Sequence, residues 1–149
     1  MGRLILPFNS DIYVDANIVL YTVDWHPVYA PLCAPLWQAS QQGSVTVFSS
    51  ELTLLETLVV PFRTQDQYQR EVRESLWKRS NNSLLPITKD VLREAARLRA
   101  TISGLKTPDA IHAATALINQ CNLFITNDRG FIRVPGLNPA ILDDVLVAP

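Results

Sequence analysis

The sequence is poor in the residues that build several common kinds of site. Its 149 residues include only five glycines and two cysteines. Five glycines are too few for a protein built on glycine-rich loops that cradle phosphates. Cys33 and Cys121 show neither metal-ligand spacing nor a disulfide framework, a pattern typical of small apolar thiols in a reducing compartment.

Charge is also sparse, at 18% of residues and a net charge of −1. This balance excludes nucleic-acid binding by bulk positive charge. All but one of the 13 Lys and Arg residues nevertheless lie between positions 63 and 133. This basic middle region could meet an anionic polymer locally, or it could simply form solvated helix faces.

Long apolar runs are missing as well. The longest uncharged stretches, 25–50 and 110–127, are interrupted by prolines or by histidine and amide side chains, so neither predicts a membrane span. The apolar run at the N-terminus is too short for a secretory signal. We therefore expect a soluble, cytoplasmic chain with no membrane partner.

The apolar pattern predicts one α/β domain over residues 1–149. At this length a chain buries about 68–70% of its unfolded surface, which is enough for a core. Predicted strands at 12–14, 45–48, 84–87 and 123–126, with a possible fifth at 141–142, alternate with predicted helices. Because each strand is almost entirely apolar, we expect a mostly parallel sheet of four or five strands, covered on both faces. Pro86 places the third strand near an edge.

Two carboxylates follow predicted strands. Asp15 comes directly after the first strand, and Asp128 lies just past the strand at 123–126. In open α/β sheets the carboxyl ends of the strands line the ligand crevice, so both side chains could face a ligand. Each could instead be a turn or helix-capping residue.

Two further carboxylates lie in predicted helices. Glu56 interrupts an apolar stripe, where an acid is costly unless a cation meets it, and an ion pair with an arginine is one explanation. Asp109 lies in the first turn of a helix opened by Thr107 and Pro108, where the helix dipole favours an acid. His112, one turn later, is either a satisfied core or rim residue or a contact to metal or substrate.

The four acids together suggest one site. If they converge, mutual repulsion raises their pKa values unless a cation lies between them. Oxygen-only ligation, without Cys or His, suits Mg²⁺ or Mn²⁺. A hard divalent ion polarises a phosphate and lowers the pKa of an attacking water, so such a site suits phosphoryl chemistry.

Four short motifs carry these acids, and their order resembles that of a PIN domain. The motifs are Val14-Asp15-Ala16-Asn17, Ser50-x-x-Thr53-Leu54-Leu55-Glu56, Thr107-Pro108-Asp109-Ala110-Ile111-x-Ala113-Ala114-x-Ala116 and Ile125-Thr126-Asn127-Asp128-x-x-Phe131. Over residues 11–143 the set is most similar to the VapC-type ribonuclease toxins of bacterial and archaeal toxin–antitoxin pairs.

The resemblance implies a PIN-like three-layer α/β/α sandwich and a Mg²⁺- or Mn²⁺-dependent endoribonuclease. It implies RNA as substrate, a homodimer, and inhibition by a cognate antitoxin. It also implies site residues: the catalytic metal ligands would be Asp15, Glu56, Asp109 and Asp128, with Asn17 supporting Asp15 and with Thr107 or Asn127 orienting a carboxylate or a water.

Two other functions stay open from the sequence. A PIN-like binding module would use the acidic pocket to dock a partner without cleavage. Another acidic-site phosphohydrolase would act on a different phosphate ester. A haloacid-dehalogenase-type enzyme would need Asp-x-Asp after the first strand, where this chain has Asn17 in place of the second Asp.

Overall fold

Parallel strands form the centre of the protein in the computed structural model, which describes residues 2–149. The strands of this sheet are β1 Ser10–Val14, β2 Val45–Ser50, β3 Asn82–Leu85, β4 Leu123–Thr126 and β5 Pro139–Ile141. Their order is β3-β2-β1-β4-β5, and every neighbouring pair is parallel. The predicted α/β class and parallel sheet are confirmed.

Helices connect the strands. They are α1 Ala16–Val23, α2 Tyr29–Gln41, α3 Glu51–Arg63, α4 Gln67–Ser75, α5 Lys89–Thr101, α6 Thr107–Ile118 and α7 Leu142–Val147. Short 3₁₀ turns follow at Leu76–Lys78 and Arg129–Arg133. No helix in the described part of the chain has the length and apolar character that a bilayer crossing needs.

The sheet separates two apolar cores, because successive side chains of a strand point to opposite faces. Ile12 and Val14 of β1 pack on the side of α1 and α2. Tyr13 of the same strand and Phe124 of β4 pack on the side of α5 and α6. This arrangement is the three-layer α/β/α sandwich that the family resemblance implied.

The third strand starts earlier than the sequence predicted. It covers Asn82–Leu85 rather than 84–87, and it is an edge strand, as Pro86 indicated. Asn82 looks like a turn residue, but its side chain is buried and donates from Nδ2 to the Leu76 carbonyl (3.0 Å), and Ser40 Oγ donates to its Oδ1. These bonds satisfy a polar side chain inside the protein, which local sequence does not reveal.

The strand order places a crevice beside β1. The chain runs from β1 outward to β2 and β3, and then returns to the other side of β1 for β4 and β5. The order therefore reverses between β1 and β4, and ligands of open α/β sheets bind outside the strand carboxyl ends at such a point.

Candidate metal centre

Asp15 lies at the carboxyl end of β1, where the strand order reverses. It has extended backbone angles and is the N-cap of α1, accepting a hydrogen bond from the Ile18 amide at Oδ1 (3.3 Å). Only 5% of the residue is exposed. Burial, partly offset by a hydrogen bond from Thr126, raises the pKa of this carboxyl. Capping and enclosure therefore coincide in one residue, and the two alternatives weighed from sequence are compatible.

Thr126 connects Asp15 to Asp128, and sequence reasoning did not single it out. It ends β4 and is fully buried. Its Oγ1 donates to Asp15 Oδ2 (2.5 Å) and accepts from the Asp128 amide (3.0 Å). One hydroxyl thus joins the carboxyl end of β1 to the segment that carries the second acid.

Asp109 and Asp128 line one cavity of about 210 Å³, together with Lys106 and Arg133. Asp109 is half-buried in the first turn of α6, and Asp128 is exposed and caps the 3₁₀ turn by accepting from the Gly130 amide (2.8 Å). Burial and the nearby charge of Asp128 raise the pKa of Asp109. The two acids are therefore close enough for their charges to interact.

Glu56 lies on α3, and its partner is a histidine rather than the arginine considered from sequence. Its Oε1 is 2.6 Å from His112 Nε2, and its side chain is 29% exposed. The apolar stripe predicted around it is only partly buried, because Val59 and Val60 are exposed. Glu56 thus faces inward at the rim of the protein, with a buried imidazole as its neighbour.

Three pairs among the four acids interact electrostatically. Glu56 adds to the burial that raises the pKa of Asp15, and it also adds to the burial and the Asp128 charge that raise the pKa of Asp109. These residues come from four separate segments of the chain. These interactions link the four predicted acids, either directly or through one of the others.

The donor set fits a hard divalent cation in its chemistry. All four predicted ligands are carboxylates, and no salt bridge among residues 2–149 involves Asp15, Asp109 or Asp128. Within the same residues, however, no three His, Cys, Asp or Glu side chains are grouped closely enough to hold a metal ion. Like charges repel, so side-chain rotation, above all of the exposed Asp128, would have to accompany metal binding.

The three predicted supporting residues lie around this edge with different contacts. Asn17 is exposed in the first turn of α1. Thr107 is the first residue of α6, whose N-cap is Lys106, and the Thr107 hydroxyl accepts from Arg99 (2.8 Å). Asn127 Oδ1 accepts from the Asp143 amide at the start of α7 (2.9 Å). Their roles toward a carboxylate or a water stay predictions.

Acidic side chains at the carboxyl edge of a parallel sheet make this a candidate metal site of an α/β protein. A family match then assigns the chain to a family. The match covers residues 12–137 and is to the PIN domain. The chain belongs to the PIN domain family, whose members are nucleases that generally use divalent metal ions. The family inferred from the four motifs is confirmed.

Solved structures of the same fold include three toxin–antitoxin assemblies. VapBC2 from Rickettsia felis, bound to a DNA fragment from their promoter, has a TM-score of 0.67 at 18% identity, over 87% of this chain and 98% of that one. VapBC-1 from nontypeable Haemophilus influenzae has a TM-score of 0.66 at 19% identity, over 89% of this chain and 98% of that one. A toxin–antitoxin complex from Klebsiella pneumoniae has a TM-score of 0.63 at 24% identity, over 85% of this chain and 94% of that one. No curated protein matches the chain.

Proposed function

We propose that this protein is a Mg²⁺- or Mn²⁺-dependent endoribonuclease and the toxin of a toxin–antitoxin pair. The observation that supports the proposal is the electrostatic interaction of Glu56 with Asp15 and Asp109, and of Asp109 with Asp128. Membership of a nuclease family gives the reaction class. Asp15 and Asp109 would be the most direct metal ligands, and Glu56 and Asp128 would hold a second ion or its waters.

The chain's own residues have distinct parts in this reaction. Thr126 and the Ile18 amide fix the Asp15 carboxylate, so that its direction is set before any ligand binds. Lys106 and Arg133 line the same cavity as the two aspartates and supply positive charge for an RNA phosphate. A bound Mg²⁺ or Mn²⁺ would polarise the phosphorus centre and lower the pKa of the attacking water. In-line attack would leave a 5′-phosphate and a 3′-hydroxyl.

RNA cleavage by the purified protein tests the proposal. We expect Mn²⁺-stimulated, EDTA-sensitive cleavage of a structured RNA, and we expect Asp15→Asn to abolish it. Asp90→Asn is the matched control, because Asp90 is exposed on α5 and pairs with Arg93. Wild-type cleavage by Asp15→Asn would refute the assignment.

The same assay separates the two alternative functions. Tight binding of a protein partner by a chain that cleaves no RNA with any divalent ion would indicate a PIN-like binding module. Hydrolysis of a small phosphate ester without activity on RNA would indicate another acidic-site phosphohydrolase. Either outcome would replace the ribonuclease proposal.

We propose two protein partners, a second copy of this chain and a cognate antitoxin. The toxin–antitoxin assemblies among the fold matches support the antitoxin. Exposed apolar side chains on α3, namely Leu55, Val59, Val60 and Phe62, support a protein contact on that helix. Light scattering of the purified chain tests the homodimer, and co-purification with the product of a short adjacent reading frame tests the antitoxin.

We propose the cytoplasm as the site of action. Both cysteines are free thiols, and Cys33 is fully buried in the core. This state is compatible with the reducing compartment in which cellular RNA would be met. Fractionation of cells that express the chain tests the proposed location.

A further inference from the structure

A chain of short hydrogen bonds runs through the protein behind the acidic edge. Tyr13 Oη lies 2.6 Å from His112 Nδ1, and His112 Nε2 lies 2.6 Å from Glu56 Oε1. Tyr13 is two residues before Asp15 on β1, and His112 is three residues after Asp109 on α6. This hydrogen-bond chain therefore joins the three segments that carry Asp15, Glu56 and Asp109.

The two contacts constrain where the imidazole protons lie. Glu56 Oε1 is a carboxylate acceptor, so Nε2 must be a donor, since two acceptors at 2.6 Å would repel. In a neutral imidazole with a proton on Nε2, Nδ1 is an acceptor, and the Tyr13 hydroxyl 2.6 Å away is the group that can donate to it. For this tautomer the order of donation is Tyr13 Oη–H to His112 Nδ1, and His112 Nε2–H to Glu56.

The hydrogen-bond chain is held rigidly at the end formed by Tyr13 and His112. The Tyr13 ring is fully buried and stacks on Phe124, with centroids 4.9 Å apart and planes 10° from parallel. His112 is 2% exposed and meets the Tyr13 ring edge-on at 5.9 Å. Neither ring can turn without displacing the core between β1, β4 and α6. Glu56, in contrast, is the partly exposed outer end of the hydrogen-bond chain.

We propose that His112 is a positioning residue for Glu56, and that Tyr13 sets the tautomer in which it acts. His112 is hydrogen-bonded to Oε1 of Glu56, and Oε2 of Glu56 has no hydrogen-bond partner within residues 2–149. The carboxylate is thus anchored by one oxygen and presents the other to a cation. Partners behind a metal ligand fix its direction in this way, and losing one costs about 10–100-fold in metal affinity. The inference rests on the proposed metal-dependent function.

The tautomer can be measured without any metal. The chain has two histidines, so long-range proton–nitrogen NMR spectra contain two imidazoles, and the variant His26→Gln identifies the signals of His112. We expect a protonated Nε2 and an unprotonated Nδ1 for His112. We expect Tyr13→Phe, which keeps the stacked ring but removes the hydroxyl, to change the Nδ1 signal. A protonated Nδ1 in the wild type would overturn the assigned chain.

Mn²⁺ binding, followed by calorimetry on the intact protein, tests the positioning role. His112→Leu removes the donor to Glu56, and we expect its Mn²⁺ affinity to fall by about 10-fold or more. His112→Gln offers an amide donor near the former Nε2, and we expect it to restore most of the lost affinity. Leu98→Ala, a core variant on α5 that takes no part in the hydrogen-bond chain, controls for lost stability and is expected to bind Mn²⁺ normally.

The outcomes distinguish this inference from the proposed function. If Asp15→Asn loses Mn²⁺ binding but His112→Leu keeps wild-type affinity, the positioning role is refuted and the metal site stands. If His112→Gln binds as weakly as His112→Leu although both unfold at the same temperature, the donor is not what matters and the inference fails. If the wild type binds no Mn²⁺, the proposed function and this inference fall together.

Discussion

Replacing Thr126 with valine removes one buried hydroxyl that serves two acids. Thr126 is fully buried, donates to Asp15 Oδ2 and accepts from the Asp128 amide. Valine has almost the same shape, so the packing at the end of β4 is retained. The substitution therefore isolates the hydrogen bonds, and any loss of stability reports on them.

The expected loss follows from what each partner can do afterwards. The Asp128 amide belongs to an exposed residue and can turn to water, so its bond contributes about 0.5–1.5 kcal/mol. Asp15 is enclosed and has no such replacement, and a hydrogen bond to a charged group contributes about 1.5–3 kcal/mol. We expect Thr126→Val to lower the free energy of unfolding by about 2–4.5 kcal/mol, a large share of the 5–15 kcal/mol typical of domains.

Urea and thermal unfolding followed by circular dichroism measure this loss. Each kcal/mol lowers the Tm of a domain of about 150 residues by about 2–4 °C, so the expected fall is clear of experimental error. Thr126→Ser is the matched control, because it keeps the hydroxyl and should lose no more than about 1.5 kcal/mol. A double-mutant cycle with Asp15→Asn should give a coupling of about 0.5–3 kcal/mol. Thr126→Val within about 0.5 kcal/mol of wild type would refute the reasoning.

Three further substitutions probe other features. Burial raises the folded-state pKa of Asp15, so the contribution of Asp15 to stability falls as pH rises from the unfolded pKa through the folded one. Asp15→Asn keeps the cap but lacks this fall. In urea titrations the stability of Asp15→Asn relative to wild type should therefore grow with pH across that window. Asp24→Asn removes the negative charge that pairs with the buried Arg73 at 2.8 Å and should cost about 1–3 kcal/mol. Asp90→Asn in an exposed pair should cost less than about 1 kcal/mol, and equal losses in chemical denaturation would contradict this. Leu98→Ala in the core should cost about 2–5 kcal/mol by the same measurement, and a loss below 1 kcal/mol would contradict the packing.

The fold could be predicted from sequence because its signals are local. Apolar runs at 12–14, 45–48 and 123–126 are strands in the structure, and Thr88, a residue type typical of N-caps, caps the helix that begins at Lys89. The last strand lies at Pro139–Ile141 rather than 141–142. The residues at which a strand begins and ends depend on its pairing with neighbouring strands, and the sequence of one segment does not contain that information.

The partners of the site residues could not be predicted in the same way. Thr126 was part of a quoted motif, but nothing near it in sequence shows that its hydroxyl reaches Asp15, 111 residues away. The hydrogen bond between His112 and Glu56 spans 56 positions, and that between Tyr13 and His112 spans 99. A tyrosine inside an apolar strand resembles any other core aromatic until its hydroxyl is given a partner.

The sequence by itself determined the class of sheet and the family, and it predicted the four acids, because apolar periodicity and short motifs are properties of contiguous residues. Only the tertiary structure decided which groups surround those acids: a threonine between Asp15 and Asp128, and a histidine rather than an arginine against Glu56. The reason is physical. Hydrogen bonds and desolvation depend on distances across the fold, and those distances are fixed only when separate strands and helices pack together.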